Sequence, residues 1–557
     1  MTEIGRELKS LWSRKIFATA LPVMMLLAYC TLITNPTIGI DDTSFKLYYI
    51  DGVSPAMGRF VIYMINKLIP LDYNPVFVEC VGLIFFCISV SLWVIVFSRI
   101  FGELIPMTAY TVFACTMISS PILSEVVIWY CQNGIYLGYG FTAVAVLIVM
   151  QTFRKETLKA WRRRIGSAVF AGLVLAVALG CYESFMLVFL MACVLVFFSI
   201  RLTDNTEYSR KPLDWVINIG ILGAAAMVFR SVIIDLIIAV YGLEEQKLVL
   251  ASRDAGDILG GIGAWFDGTR TAGDFVYMLK DFFVKYYLNA IVYVPVMILV
   301  LSVMVLIAGA IWGAAKKKDI WLLLSAAGII LIPLILPIVE GTATYYRSSQ
   351  YVPLLTAYAV LLTAWKFRGV RLPCVRAAGF VLAFILLYRQ GYEMNRWLYV
   401  DAMKYENDKL VMSTVALQIM EKCENPSKPV CVIGSYETPE SLIEEVYVPD
   451  WSKKYTLIKL FVEALEPEIF DKYNTEYGYA TAESPQLSFI NWGSVAYYGF
   501  DRELIKFWEM HGFTFTEDGE LGHYAAAREL MRDGPVWPAE GSIVELDDYI
   551  IVNFGNY

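Results

Sequence analysis

Long apolar runs fill the chain up to about residue 392 and then stop. They are Ile16–Thr34, Val76–Phe97, Met107–Ile122, Gly134–Met150, Ser167–Gly180, Phe185–Ile200, Trp215 to about Val240, Leu288–Trp312, Ile320–Val339, Tyr351–Trp365 and Ala377–Leu387. About 20 apolar residues in a helix cross a hydrocarbon layer of roughly 30 Å. The pattern therefore predicts about eleven helical spans, the shorter runs borrowing flanking residues. Arg230 and Asp235 interrupt the seventh run. Either they pair structurally, which is the simpler reading, or that span emerges near Phe229.

The pattern changes after residue 392. Ala402–Lys422 has a helical period, Pro429–Gly434 reads as a buried strand, and Ser542–Asn553 closes the chain as strand-like segments. The expected organisation is a multi-span membrane domain, residues 1–392, followed by a soluble α/β domain, residues 393–557. Within the first long inter-span segment, residues 35–75, Met57–Leu71 is apolar but carries Arg59, Asn66 and Lys67. It is too short to span and resembles an interfacial helix.

Charge orients this picture. Mean hydropathy is +0.56. Residues 393–557 hold 29 acidic and 13 basic side chains, a net of −16, whereas the first 392 carry +8. The basic residues cluster at Arg154–Arg164, Arg201–Lys211, Lys316–Lys318 and Lys366–Arg376. These loops all fall on one side if the N-terminus is inside, as the positive-inside rule requires. An odd span count then puts the acidic tail outside, across a bacterial inner membrane. No small-residue cleavage site follows the first run, so it reads as an uncleaved span. An acidic tail argues against nucleic acid as a partner.

Absences narrow the chemistry. No phosphate-binding GxxxxGK[ST] loop occurs, and the only histidines are His511 and His523, in the tail. No His/Cys cluster has zinc-ligand spacing. Eight of the ten cysteines sit in apolar segments as small hydrophobes, while Cys423 and Cys431 could form a disulfide or remain two thiols. The strongest local signal is Asn35 through Asp41-Asp42-Thr43, just beyond the first span. Adjacent carboxylates repel, which can raise one pKa and poise a base for a hydroxyl proton. The plainer reading of the pair is a solvated acidic turn.

Context favours the sharper reading. Asn35 through Asp41-Asp42 to Tyr48-Tyr49, Asp51-Gly52, Gly58-Arg59-Phe60, Gly180-Cys181-Tyr182-Glu183-Ser184 and Tyr346-Arg347-Ser348 resemble stretches of GT-C superfamily integral-membrane glycosyltransferases. They are most similar to the Gtr-type bacterial glucosyltransferases that modify O-antigen. Tyr399–Asp408 looks similar too. The resemblance implies a GT-C-like fold, a polyprenyl-phosphate sugar donor, a cell-surface glycan acceptor and a catalytic acid in the first outer loop, here Asp41 or Asp42. A donor anchored in lipid needs cations for its phosphate at the same level, which points to Arg59 and Arg347, because the arginine fork bonds two oxygens. Each arginine is as readily an interfacial anchor. Tyr346 adjoins Arg347, and Glu125 and Glu183 lie on short outer loops, where each is a functional candidate or a helix cap. No cofactor is required, although the carboxylate pair is able to take Mg²⁺ or Mn²⁺. The rival expectations are a transporter or flippase for lipid-linked glycans, with charges deep in broken helices, and a non-catalytic assembly partner.

Overall fold

The structure is a computed structural model that describes residues 3–38, 53–68, 74–127, 134–154, 161–209, 211–244, 261, 263–283, 296–341, 348–370, 372–436, 438–439, 442 and 502–555. The chain is mostly helical and divides into two compact units. Among the described residues, eight helices are long and apolar enough to cross a membrane, and three shorter apolar helices, at Met107–Leu123, Ile165–Cys181 and Val352–Phe367, accompany them. This is a polytopic membrane protein.

The first unit contains α1 (Glu3–Trp12), α2 (Lys15–Thr34), α3 (Phe60–Leu68), α4 (Pro75–Phe101), α5 (Met107–Ile118), α6 (Gly134–Thr152), α7 (Trp161–Cys181), α8 (Phe185–Thr203) and α9 (Pro212–Tyr241). It continues with α10 (Ala272–Phe283), α11 (Val296–Lys317), α12 (Ile320–Leu331), α13 (Val352–Phe367) and the first part of α14 (Pro373–Lys422). Backbone groups cannot bond to lipid, so each long apolar run closes its hydrogen bonds within a helix. Of the apolar window in α8, 78% of residues are buried in protein, against 22% in α9, so α8 is central and α9 peripheral. An aromatic cluster of Phe86, Tyr136, Tyr139 and Phe185 joins α4, α6 and α8, with ring centroids 5.2–5.4 Å apart.

At one end of these helices, ion pairs fasten neighbours. Arg201 forks onto Asp319, with Nε and Nη2 each at 2.7 Å. Arg99 forks onto Glu7 at 3.1 and 2.7 Å, Lys317 pairs with Asp204, and Asn205 donates to the Ile100 carbonyl at 3.4 Å. Several of the basic residues that suggested a common side are thus gathered at one end.

Two expectations need correction. The helix of the seventh run does not break at Arg230 and Asp235, because α9 runs unbroken to Tyr241. Arg230 turns to Glu183 and the Gly58 carbonyl, elements that a local sequence window cannot see. The last apolar run and the tail's first helix are one helix of 50 residues, since no proline interrupts Pro373–Lys422 after its first residue.

The second unit is built from Arg396 onward, with the segment that begins at Thr34 added to it. Its four-stranded sheet has the order β2-β1-β4-β3, from β1 (Pro429–Ile433), β2 (Thr516–Glu517), β3 (Ile543–Glu545) and β4 (Ile550–Asn553). β1 is parallel to both β2 and β4, with Val430 opposite Ile550 and Ile433 opposite Asn553, while β3 is antiparallel to β4. Helix α15 (Arg502–Met510) precedes β2, and α16 (Leu521–Leu530) follows it. Cys431, Ile433 and Ile551 on the sheet pack with Tyr524 and Ala527 of α16 and with Met531. Cys431 is therefore committed to a core face. It and Cys423 are separate buried thiols, not a disulfide.

Candidate functional site

The site begins with two glycines. Gly58 has φ +87°, a region in which side chains are strained, and a Cβ there would lie 1.9 Å from the Arg230 Nη2. Its bareness lets Arg230 reach across from α9 and donate to the Gly58 carbonyl at 3.2 Å. Gly180, near the end of α7, seats the Phe60 ring, which a Cβ would meet at 2.3 Å. Two stretches about 120 residues apart, Gly58-Arg59-Phe60 and Gly180 to Ser184, are thereby pressed together.

Charge completes the assembly. Arg230 Nη2 lies 2.9 Å from Glu183 Oε1, and Arg59 Nε lies 3.5 Å from Glu183 Oε2. The Arg59 guanidinium also covers the Tyr182 ring, 4.3 Å from its centroid, a cation–π contact. Two guanidiniums, one from the step before α3 and one from α9, converge on one carboxylate in the turn between α7 and α8. Its neighbour Ser184 donates to Gln350 Oε1 at 2.7 Å, and the Gln350 carbonyl accepts from Tyr139 at 2.6 Å. The same turn is thus pinned to the segment that follows Tyr346 and Arg347.

The sequence candidates divide accordingly. Arg59 and Glu183 come together. Asp41, Asp42, Tyr346 and Arg347 lie outside the described residues, and so does the side chain of Glu125. The stem of the acidic loop is described: Thr37 Oγ1 donates to Asp401 Oδ2 at 2.7 Å, within the second unit. Asp401 lies on α14 beyond its apolar stretch, which ends before Arg389. Burial pushes the Asp401 carboxyl up to about 7, while Thr37 and Lys404 pull it down.

Three groups escaped the sequence reading of the site. Arg230 stood out only as an interruption in a span, although an ionisable group at such depth is itself a functional signal. Glu79, buried near the start of α4, accepts from Tyr136 Oη at 3.2 Å and carried the same signal. Asp401 carried none, since its partner is 364 residues away. Among the described residues, no three His, Cys, Asp or Glu side chains are grouped to hold a metal ion.

Chemically, the oxyanion that the two guanidiniums share is the Glu183 carboxylate. Each guanidinium carries five donors in a planar array suited to carboxylate or phosphate. Against this geometry stands one finding from comparison with known proteins: residues 30–364 match the family model described as Glucosyl transferase GtrII. The matched stretch is more than half of the chain and contains Arg59, Glu183 and Arg230. Comparison with curated proteins and with solved structures gave no match.

Proposed function

The chain belongs to the GtrII glucosyl transferase family, and from that premise we propose that it moves glucose from an undecaprenyl-phosphate donor to a hydroxyl of a cell-surface glycan at the outer face of a bacterial inner membrane. Membership implies a transferase with a sugar donor and a glycan acceptor. The long apolar helices make the enzyme a membrane protein. The lipid carrier, the orientation and the GT-C-like architecture belong to the proposal.

One observation carries the donor reading: Arg59 and Arg230 converge on Glu183 in a turn joining two membrane helices. A lipid-anchored phosphate occupies that kind of position, where the hydrocarbon ends. Two forks there would hold its oxygens and offset the charge that grows on it as it leaves. Arg347, in the segment before Ser348, is assigned the same role, with Tyr346 beside it. Glu183 then orients the guanidiniums instead of acting on the sugar, and Glu125 remains a reserve acid.

The reaction is a single displacement. The acceptor oxygen attacks the anomeric carbon, the bond from that carbon to the phosphate oxygen breaks, and undecaprenyl phosphate leaves with the electron pair. The acceptor proton passes to Asp41 or Asp42, with Asp42 as our choice of base. The anomeric configuration inverts. A metal ion is not needed, although the pair could hold one. A transporter would instead concentrate charge in broken helices at mid-membrane, whereas α9, which carries Arg230, is continuous.

Purified full-length protein in lipid nanodiscs, offered a panel of undecaprenyl-phosphate hexoses and a delipidated surface polysaccharide, tests this. We expect sugar transfer from the glucose donor with release of undecaprenyl phosphate. Transfer from none of the panel overturns the donor assignment.

A further inference from the structure

The family match ends at residue 364, and the sheet described beyond it has a switch point in its strand order. β1 has β2 on one side and β4 on the other. Among the described elements, α15 and β2 follow β1 in the chain with β2 on one side of it, and β3 and β4 follow α16 with β4 on the other side. The strand order thus reverses at β1. Open α/β sheets bind ligands outside the carboxyl ends of strands at such a switch point.

The carboxyl ends of β1 and β4 are unusually close. Gly434 follows β1 with φ +82°, and a Cβ there would lie 1.8 Å from the Gly555 carbonyl oxygen. Ser435 N donates to that oxygen, and Phe554 N donates to the Ile433 carbonyl, both at 2.8 Å. Two tight turns therefore deliver Tyr436 and Phe554 to one place. Trp537, from the chain between α16 and β3, joins them with ring centroids 5.7 and 5.9 Å away, at steep interplanar angles of 83° and 70°. Phe554 is buried, whereas Tyr436 and Trp537 keep part of their surface exposed.

Amides frame the aromatics. Gln418 Oε1 accepts from Trp537 Nε1 at 3.0 Å, which leaves the side chain presenting its amide nitrogen as a donor. Asn407, three turns earlier on the same face of α14, donates to Thr438 Oγ1 at 3.3 Å and approaches the Tyr436 hydroxyl at 3.5 Å. Aromatic faces with a few placed amides and hydroxyls are the composition of a small-molecule site. A pyranose fits it, since its C–H face is attracted to the negative face of a ring and its hydroxyls both give and accept hydrogen bonds. Each of these six side chains is uncharged, and the region from residue 393 onward is strongly acidic. A phosphate-bearing donor is repelled there, but a neutral saccharide is not.

We propose that the carboxyl ends of β1 and β4 form a binding site for a neutral glycan, with Tyr436 and Trp537 as stacking faces and Gln418 and Asn407 as hydrogen-bonding partners. That the glycan is the acceptor rests on the transferase reading; binding itself does not. Saturation-transfer NMR on the full-length protein in detergent, without donor, is the test. The probes are neutral trisaccharides of glucose, galactose and rhamnose. At least one should bind, and Trp537→Ala and Gln418→Ala should each weaken it by about tenfold. Trp537→Phe should keep most of the binding. Gln418→Ala, at a partly exposed helix position, keeps the test valid if Trp537→Ala does not fold. Absence of binding across the panel, or equal binding by folded Trp537→Ala or Gln418→Ala, overturns the proposal. A lack of transfer from undecaprenyl-phosphate glucose with binding intact would instead count against the transferase reading.

Discussion

The helical unit uses arginine in two ways. Arg201 gives both Nε and Nη2 to Asp319, whose side chain is only 8% exposed. In the turn between α7 and α8, two arginines converge on Glu183, which is 40% exposed and 3.5 Å from the nearer nitrogen of Arg59. A parallel fork on a buried carboxylate is a fastener: its donors are committed, and removing one partner leaves a buried charge at a cost of about 3–5 kcal/mol. A shared and partly exposed carboxylate fixes the guanidiniums less completely, so an arriving oxyanion can compete for them. On the proposed donor reading, the difference between an ion pair that holds the fold and one that receives a ligand lies in geometry and exposure, not in residue type.

The largest expected effect concerns the acid pair proposed as the base. Asp→Asn at the critical member of Asp41-Asp42 keeps size and hydrogen-bonding reach but removes basicity. A positioned base contributes about 10²–10⁴-fold in rate. Transfer by purified Asp42→Asn, or by Asp41→Asn if the roles are reversed, should drop by that factor while expression and membrane insertion are unchanged. Wild-type rates in both single variants and the double would move the base elsewhere. Glu183 or Glu125 would then be next in line, and the shared carboxylate would cease to be a mere orienter.

Next come the arginines themselves. Arg59→Gln and Arg230→Gln should each raise the KM for the lipid-linked donor by about 10–100-fold, the worth of a charge-assisted contact. Lysine should rescue poorly, because a point charge cannot reproduce a fork. Arg201→Gln should do the reverse, lowering thermal stability while leaving donor KM unchanged. Steady-state kinetics and a melt on the three variants decide the comparison. Equal donor KM effects at Arg201 and Arg230 would erase it.

Much of this arrangement was visible in the sequence, and the exceptions have physical causes. The run Phe185–Ile200 became the helix Phe185–Thr203, and Gly134–Met150 became Gly134–Thr152, because a long apolar segment in lipid has few ways to satisfy its backbone. Val430–Ile433 read as a buried strand and are buried. By contrast β2 has two residues, too few for any period, so the order of the sheet was not legible. Arg230 was seen but misassigned to Asp235, since Gly58 and Glu183 lie 172 and 47 residues from it. Cys423 and Cys431 are close in number only: one follows the end of α14 and the other points into the sheet core. Spacing does not fix sulfur geometry.

A smaller effect probes how the shared carboxylate is reached. Gly58→Ala places a methyl group against the Arg230 guanidinium and asks alanine to adopt a positive φ. Backbone strain of this kind costs about 1–3 kcal/mol. Arg230 should swing away, so donor KM should rise several-fold, less than in Arg230→Gln, and Arg230→Gln/Gly58→Ala should be little worse than Arg230→Gln alone. Full additivity in that double-mutant cycle would show that Gly58 acts without Arg230.

The mildest effect is expected at Asp401, which grips the stem of the acidic loop through Thr37. Its carboxyl is held up to about 7, from an ordinary value of 3.8, chiefly by burial. The folded chain therefore binds this proton more tightly than the unfolded chain does. The stabilisation is complete below pH of about 4 and is lost as pH rises through about 7, because the unfolded carboxyl ionises more freely. Part of the residue's surface stays exposed, which keeps the effect small. Asp401→Asn imitates the protonated form, keeps an oxygen for the Thr37 hydroxyl and cannot titrate. Between pH 5 and 8 the thermal midpoint of the wild-type full-length protein should fall further than that of the variant. Parallel curves would mean that Asp401 is ionised throughout, and that the loop beyond the first span is fastened as Arg201 is fastened, by a charge that never changes.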